Sequence, residues 1–371
     1  IIEAESFKRN EKKNPGANIL KHNDKIRVHL FHDGMNIWSD YALFYKKNNS
    51  FRANGNVVIK QGDSIELYSN SLDYDGNLRK IIAKGDVDFY NNKTNLKTEI
   101  LFHDRNLNEI FFQDGGVIKD SVTTIKSIEG KYFLENSKYT FIKDVEIKNP
   151  DYKINSNALD YLTKSEQAYF YGPTTIIGTD YEIYCEKGFY DTKNKKGYFI
   201  KNSQINYNNR EIKGDSLTFN DLSQFASASR NVKLTDTLNK TIIKGNYAEI
   251  FKALDSAMIT KRSLAIKMVD RDSLYIKADT LFTIGPTENR IIKGRYNVKF
   301  YKKNLSGRAD KIIINQKSGL TKLQRKPLSK REKQILTSKE ISKRNPIIWN
   351  GESQMTGDEI HILRKVIHLQ I

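Results

Sequence analysis

Six histidines and one cysteine are the residues of this 371-residue chain best suited to metal binding or nucleophilic chemistry. His29 and His32, with Asp33 beside the second, form the densest set. On a strand, residues three apart face opposite sides, so the two could share an ion only if the chain turned between them. Packed or surface histidines are the simpler reading. His103 next to Asp104, His361 and His368 are isolated. Cys185 lies in a strand-like run, residues 181–186, with no nearby His, so a small packed or surface side chain is the default. A lone cysteine builds neither a disulfide framework nor a cysteine-rich metal site. The nucleophile elbow, the Walker loop, the zinc motif His-Glu-x-x-His and the dinucleotide fingerprint do not occur. The chain is therefore expected to be no enzyme and to need no metal or cofactor.

Function must then come from the elements themselves. Only six prolines occur, Tyr and Phe are frequent, and Ile, Lys and Asn abound. That composition favours strands with one wet and one dry face. Alternation at period two runs through Val87/Phe89, Val145/Ile147, Leu159/Tyr161 and Leu274/Ile276. Turn residues such as Asp75-Gly76, Asn91-Asn92 and Asn208-Asn209 separate the runs. Short apolar strands after a turn recur at Val28, Val57, Val87, Val117, Val145, Thr175, Ile205, Val232, Leu264 and Val298. A second series keeps step: Leu43, Leu72, Leu101, Tyr132, Leu159, Phe189, Leu217, Ala248, Leu281 and Ile312. Most intervals are 28 to 34 residues, a period that belongs to stacked repeat architectures. The expectation is an all-β, elongated twisted jellyroll or solenoid-like stack of about ten repeats of ~29 residues, open at both ends.

Ahead of the second landmark, a small residue precedes Asn or Asp at Ser69-Asn70, Ser156-Asn157, Gly214-Asp215, Gly245-Asn246, Ala278-Asp279 and Ala309-Asp310. Such pairs suit a corner where a strand passes from one sheet to another. A calcium site at these acids is the weaker alternative, because several corners have Asn instead. Residues 1–25 read as an N-terminal leader, 26–320 as the repeat array, 321–346 as a basic helical insertion, and 347–371 as a further, truncated repeat. Within the insertion Ser329 and Glu332 have capping-box spacing, and residues 322–344 carry nine basic and two acidic side chains. No run of 18 apolar residues exists. A secretory signal, if the protein has one, lies outside this stretch, and the strand-like run 366–371 leads us to expect further sequence.

The inward faces of two such sheets would form an apolar trough. Its candidate lining is Val57, Ile59, Ile65, Leu67, Leu72 and Tyr74 in one repeat and Val87 and Phe89 in the next. Val145, Ile147, Ile154, Leu159 and Tyr161 follow, then Ile212, Leu217 and Phe219, and finally Leu264, Ile266, Leu274 and Ile276. If the sheets splay, this slot suits acyl chains, each buried methylene being worth about 0.8 kcal/mol. If they close, the same residues simply pack on one another.

Residues 55–62, Gly-Asn-Val-Val-Ile-Lys-Gln-Gly, followed by Ile65-x-Leu67 and Leu72-x-Tyr74, resemble the repeat of the OstA/LptA family of lipopolysaccharide-transport proteins. Residues 210–219, with Ile212-Lys213-Gly214-Asp215, look like a second copy, and Ile243-Lys244-Gly245 and Gly357-Asp358-Glu359-Ile360 are partial ones. The resemblance covers roughly residues 26–320 and 347–371. It implies a β-jellyroll in the periplasm whose interior carries lipid A acyl chains toward the outer membrane. It also implies strand-edge pairing at either end with other transport proteins, or head to tail with itself. Whether the chain is the soluble bridge or the periplasmic part of a larger outer-membrane assembly protein stays open. Two rivals remain: a structural or adhesive solenoid with a closed core, and a nucleic-acid binder exploiting the net charge of +18. The second lacks aromatic–Arg platforms and a known module, so no nucleic acid is expected.

Overall fold

A strand of twelve residues is too long to stay flat over a small core, and this chain bends each one in the middle. In the computed structural model, which describes residues 3–269, 271–363 and 366–370, Ser50–Gln61 shows how. Its register against Ile65–Asp75 slips between Asn54 and Val57, where Gly55 and Asn56 stand opposite Asn70 alone. Both have positive φ, 76° and 45°. This is a β-bulge, an extra residue that bends and twists the strand. The same paired positive φ recurs at Gly85-Asp86, Lys143-Asp144, Lys201-Asn202, Arg230-Asn231, Lys261-Arg262 and Tyr296-Asn297. A Cβ on Gly55 would lie 2.6 Å from Asp40 Oδ2, so glycine is needed there for space as well as for conformation. The corner residues hold one another: Asn56 Nδ2 donates to Asp40 at 2.7 Å, Asn231 to Asp215 at 3.0 Å and Asn297 to Asp279 at 2.7 Å.

The chain divides into two units, residues 1–179 and 180–371. In the first, Ser50–Gln61, Ile65–Asp75, Lys80–Asn91 and Thr94–Asp104 form an antiparallel meander. Lys138–Asn149 and Tyr152–Leu162 form another long hairpin. Between them, shorter pieces take over, such as Glu109–Phe112 with Gly116–Lys119 and Thr124–Ser127 with Glu129–Phe133. Each pair splits one long strand at its corner. The second unit runs as an unbroken meander from Lys196–Tyr207 to Leu305–Asn315. Turns stack on turns one repeat away: Asn77 bonds Asn48, Asn106 bonds Leu78, Lys252 bonds Gln224 and Met268 bonds Lys240. These separations of 28 or 29 residues make the sequence period a physical repeat.

Buried positions follow the alternation. Bulged strands keep their phase through the corner, as in Phe51, Ala53, Val57 and Ile59. Their partners change phase there, as in Leu67 and Ser69 followed by Leu72 and Tyr74. Five landmarks chosen from the sequence miss this phase, among them Leu43 and Phe189, whose neighbours Ala42 and Tyr190 are the buried ones. Gly116 and Ile118 are buried where Val117 is not, Thr174 and Ile176 flank the half-buried Thr175, and Ser263 and Ala265 are buried where Leu264 is not. Residues 325–346 leave the sheet at a corner: Thr321–Gln324 continues one half of a strand and Ile347–Asn350 the other. Two short helices, Lys330–Ile335 and Ser338–Ser342, begin at capping boxes on Ser329/Glu332 and Thr337/Glu340. Arg344 ties back to Glu332 at 2.9 Å.

Candidate functional site

Folding every strand at its corner makes the two halves of each unit face each other. The corner line closes one side of the slot, and the turns form its two lips. Residues from both halves line common spaces. In the first unit Met35, Ile59, Leu67 and Phe89 of one half meet Ile81, Leu101 and Ile110 of the other around a cavity of about 30 Å³. In the second, Ile205, Tyr207 and Ile212 meet Phe219, Phe225 and Ile250 around about 10 Å³. Tyr181 and Phe219 touch across this slot with ring centroids 4.5 Å apart. These stretches are packed almost solid.

Farther along the second unit the slot opens. A cavity of about 380 Å³ lies between Leu274, Phe300 and Leu305 on one half and Ile312 and Ile314 on the other. Its mouth carries Lys240, Lys267 and Lys302, with Asn239 and Gln316 beside them. Gly319, Thr321, Ile362 and Leu363 complete its wall. The volume is within the ~300–1,000 Å³ range of small-ligand sites, at its lower end.

Of the residues singled out in the sequence, Val57, Ile59, Leu67, Leu72, Tyr74, Val87 and Phe89 are buried on the inward face of the first unit. Val145, Ile147, Ile154, Leu159 and Tyr161 are buried there as well. Ile65 is half-buried at the mouth of the 30 Å³ cavity. In the second unit Ile212, Leu217, Phe219 and Ile276 are buried inward, and Leu274 is half-buried against the large cavity. Leu264 and Ile266 need correction. They stand on the outer face, opposite Lys277 and Tyr275, because Ser263 and Ala265 take the inward positions. A one-residue error in phase sends a side chain to the other face. Only Leu274 of the sequence-chosen set lines the large cavity; Phe300, Leu305, Ile312 and Ile314 were not singled out as groove residues.

Charged side chains bridge the lips. In the first unit, Asp33 on one lip takes Arg79 and Arg105 from the other, each at 2.7 Å. In the second unit three such bridges follow in order. Lys252 reaches Asp180, Arg210 lies 3.3 Å from Asp255, and Arg290 lies 3.3 Å from Asp236. The last two join into a cluster, since Arg290 is also 3.2 Å from Asp255. The Arg210, Arg290 and Asp236 side chains are at most 3% exposed. Arg290 also donates to the Asp255 carbonyl at 2.9 Å and to that of Gly285. Asn239 holds Asp236 through its backbone and side-chain N–H groups at 3.0–3.1 Å. Burial pushes the Asp255 carboxyl up, with Arg210 pulling the other way.

Among the described residues no group of three or more His, Cys, Asp or Glu is arranged to hold a metal. His29 stacks on Trp38 at 4.6 Å and bonds Asn36, while His32 meets Tyr74 edge-on at 5.2 Å. His103 has its pKa lowered to about 4, chiefly by burial and then by Arg105. Burial also pushes the Cys185 thiol up to about 12. No helix among the described residues is long and apolar enough to cross a membrane.

Comparison with known proteins gives three findings. No curated protein matches the chain. Among solved structures it is similar to the crystal structure of LptH, the LptA homologous periplasmic component of the lipopolysaccharide transport device of Pseudomonas aeruginosa. That alignment has 15% identity, covers 36% of this chain and 79% of the other, and has a TM-score of 0.18, too low to carry an argument. The model of the family described as OstA-like protein matches residues 1–157. Over residues 1–157, a stretch of bent antiparallel strands, the chain is thus similar to OstA-like proteins.

Proposed function

We propose that the chain is a non-enzymatic lipid-binding protein of the periplasm that carries lipopolysaccharide toward the outer membrane, holding the acyl chains between the two halves of its folded sheet. The observation that carries this reading is the 380 Å³ cavity, where an apolar slot opens under a rim of three lysines. An amphiphile with hydrocarbon chains and a phosphate-bearing headgroup matches both parts. Ten methylenes buried there would contribute about 8 kcal/mol before the cost of ordering the lipid. The match to OstA-like proteins over residues 1–157 supports the same class of cargo. Strand Ser6–Arg9, paired with Asn18–Lys21, is the edge we assign to strand addition by a neighbouring transport protein or a second copy.

A second reading has its own observation. The cavities of about 10 Å³ in the second unit and about 30 Å³ in the first favour a scaffold with a dry, closed core. Binding of purified lipopolysaccharide, followed by native mass spectrometry, separates the two. Leu274→Trp or Leu305→Trp would fill the cavity and should weaken binding about tenfold or more. Equal binding by wild type and both variants, or none by either, would defeat the lipid reading.

A further inference from the structure

Along the second unit the slot changes from solid to open within a few strands, and charge marks the change. On the solid side stand the three bridges from lip to lip: Lys252–Asp180, Arg210–Asp255 and Arg290–Asp236. Beneath them the interior leaves about 10 Å³. Past the last bridge comes the cavity of about 380 Å³. Asn239 belongs to both regions: it lines the cavity and fixes Asp236. Gln316, also on the cavity wall, donates its backbone N–H to the Arg290 carbonyl. The same device occurs in the first unit, where Arg79 and Arg105 clasp Asp33 over the cavity of about 30 Å³.

These charges occupy positions where the strand pattern calls for apolar ones. Arg210 is in phase with the buried Ile212, and Asp236 with Val232 and Leu234. Burying ions is costly unless each finds its partner, so the lips at these turns are stable together and poor apart.

We propose that the three bridges determine where along the second unit a lipid chain can sit. They hold the lips shut from Asp180 to Arg290, so a hydrocarbon chain is admitted sideways at the cavity. It advances toward Phe219 and Ile212 only when Arg290 and Arg210 leave Asp236 and Asp255. This rests on the lipid reading of the same slot and assigns its stop to four named side chains.

The test uses hexadecyl phosphate with a diazirine at the chain end, photolysed on the whole chain and mapped by peptide mass spectrometry. In wild type, labels should fall on Leu274, Phe300, Ile312 and Ile314 and be absent from Ile212, Phe219 and Ile250. The variant Arg290→Ala with Asp255→Ala removes one cation and one anion, leaves Arg210 with Asp236, and keeps the net charge. The Phe219 peptide should become labelled in it, at least about tenfold above the unlabelled wild-type background, as for a shift of one decade in population. Retained cavity labelling and an unchanged circular dichroism spectrum show that the variant is folded. Labels on Phe219 or Ile212 in wild type would overturn the stop while leaving the lipid reading intact, and this outcome needs no variant. So would a folded variant labelled only at the cavity. Absence of cavity labelling in wild type would overturn the lipid reading and the stop together.

Discussion

Asp236→Ala separates a clasp of balanced charges from a merely crowded turn. The substitution removes the carboxylate 3.3 Å from Arg290 and 3.9 Å from Arg210. It also removes the acceptor for the Asn239 backbone and side-chain N–H groups. Two nearly inaccessible guanidinium groups are then left to share the single carboxylate of Asp255. Breaking a buried pair by deleting one partner costs about 3–5 kcal/mol, most of it from the charge left unpaired. Replacing both members, Asp236→Leu with Arg290→Met, leaves Arg210 opposite Asp255 and should cost within about 1 kcal/mol. Hydrogen exchange in Phe225–Asp236 and Thr241–Phe251 is the assay, because it reads the opening of these strands apart from the rest of the chain. The single variant should exchange at least a hundredfold faster, roughly 3 kcal/mol, and the paired variant close to wild type. Equal loss in both, or a single-variant cost below about 1 kcal/mol, would refute the clasp.

Three further outcomes follow from local chemistry. The buried Cys185, with its thiol pushed up to about 12, should resist maleimide at neutral pH until the second unit unfolds, as followed by mass shift against denaturant. His103 is harder to protonate folded than unfolded, so its contribution is full above pH 6.5 and is lost as pH falls toward about 4. His103→Gln should flatten the acid side of the melting curve by about 1–3 kcal/mol, the higher figure holding only where solvent is excluded. At the corners, Gly55→Ala should cost about 1–3 kcal/mol through positive φ and the approach to Asp40, whereas Lys201→Gly should stabilise by up to about 1 kcal/mol. A stabilised Gly55→Ala or a destabilised Lys201→Gly in denaturant titrations would contradict that account.

Much of the fold was legible because alternation and turn chemistry are local. Val57 and Ile59, or Leu72 and Tyr74, announce an inward face from their own spacing, and the small-residue corner at Ser69-Asn70 announces the bend. The phase of Leu264 was not legible, because large side chains there lie outside and Ser263 and Ala265 lie inside. Hydrophobicity alone picks the wrong face when the inward side chains are the smaller ones. The cavity was not legible either: Leu274 and Ile312 line it, but nothing in their own spacing distinguishes them from inward residues of the packed stretches. The clasp left a faint trace: Arg210 and Asp236 are charges in the apolar phase of their strands. Their partners Asp255 and Arg290 sit in turns 45 and 54 residues away, and no local rule joins such positions.

The central claim is that lipid occupies the slot, and photo-crosslinking in cells that make lipopolysaccharide tests it most directly. A crosslinking side chain at Leu274, on the cavity wall, should capture lipopolysaccharide, and one at the exposed Lys277 of the same strand should not. Capture from Lys277 alone, or equally from both, would contradict the account.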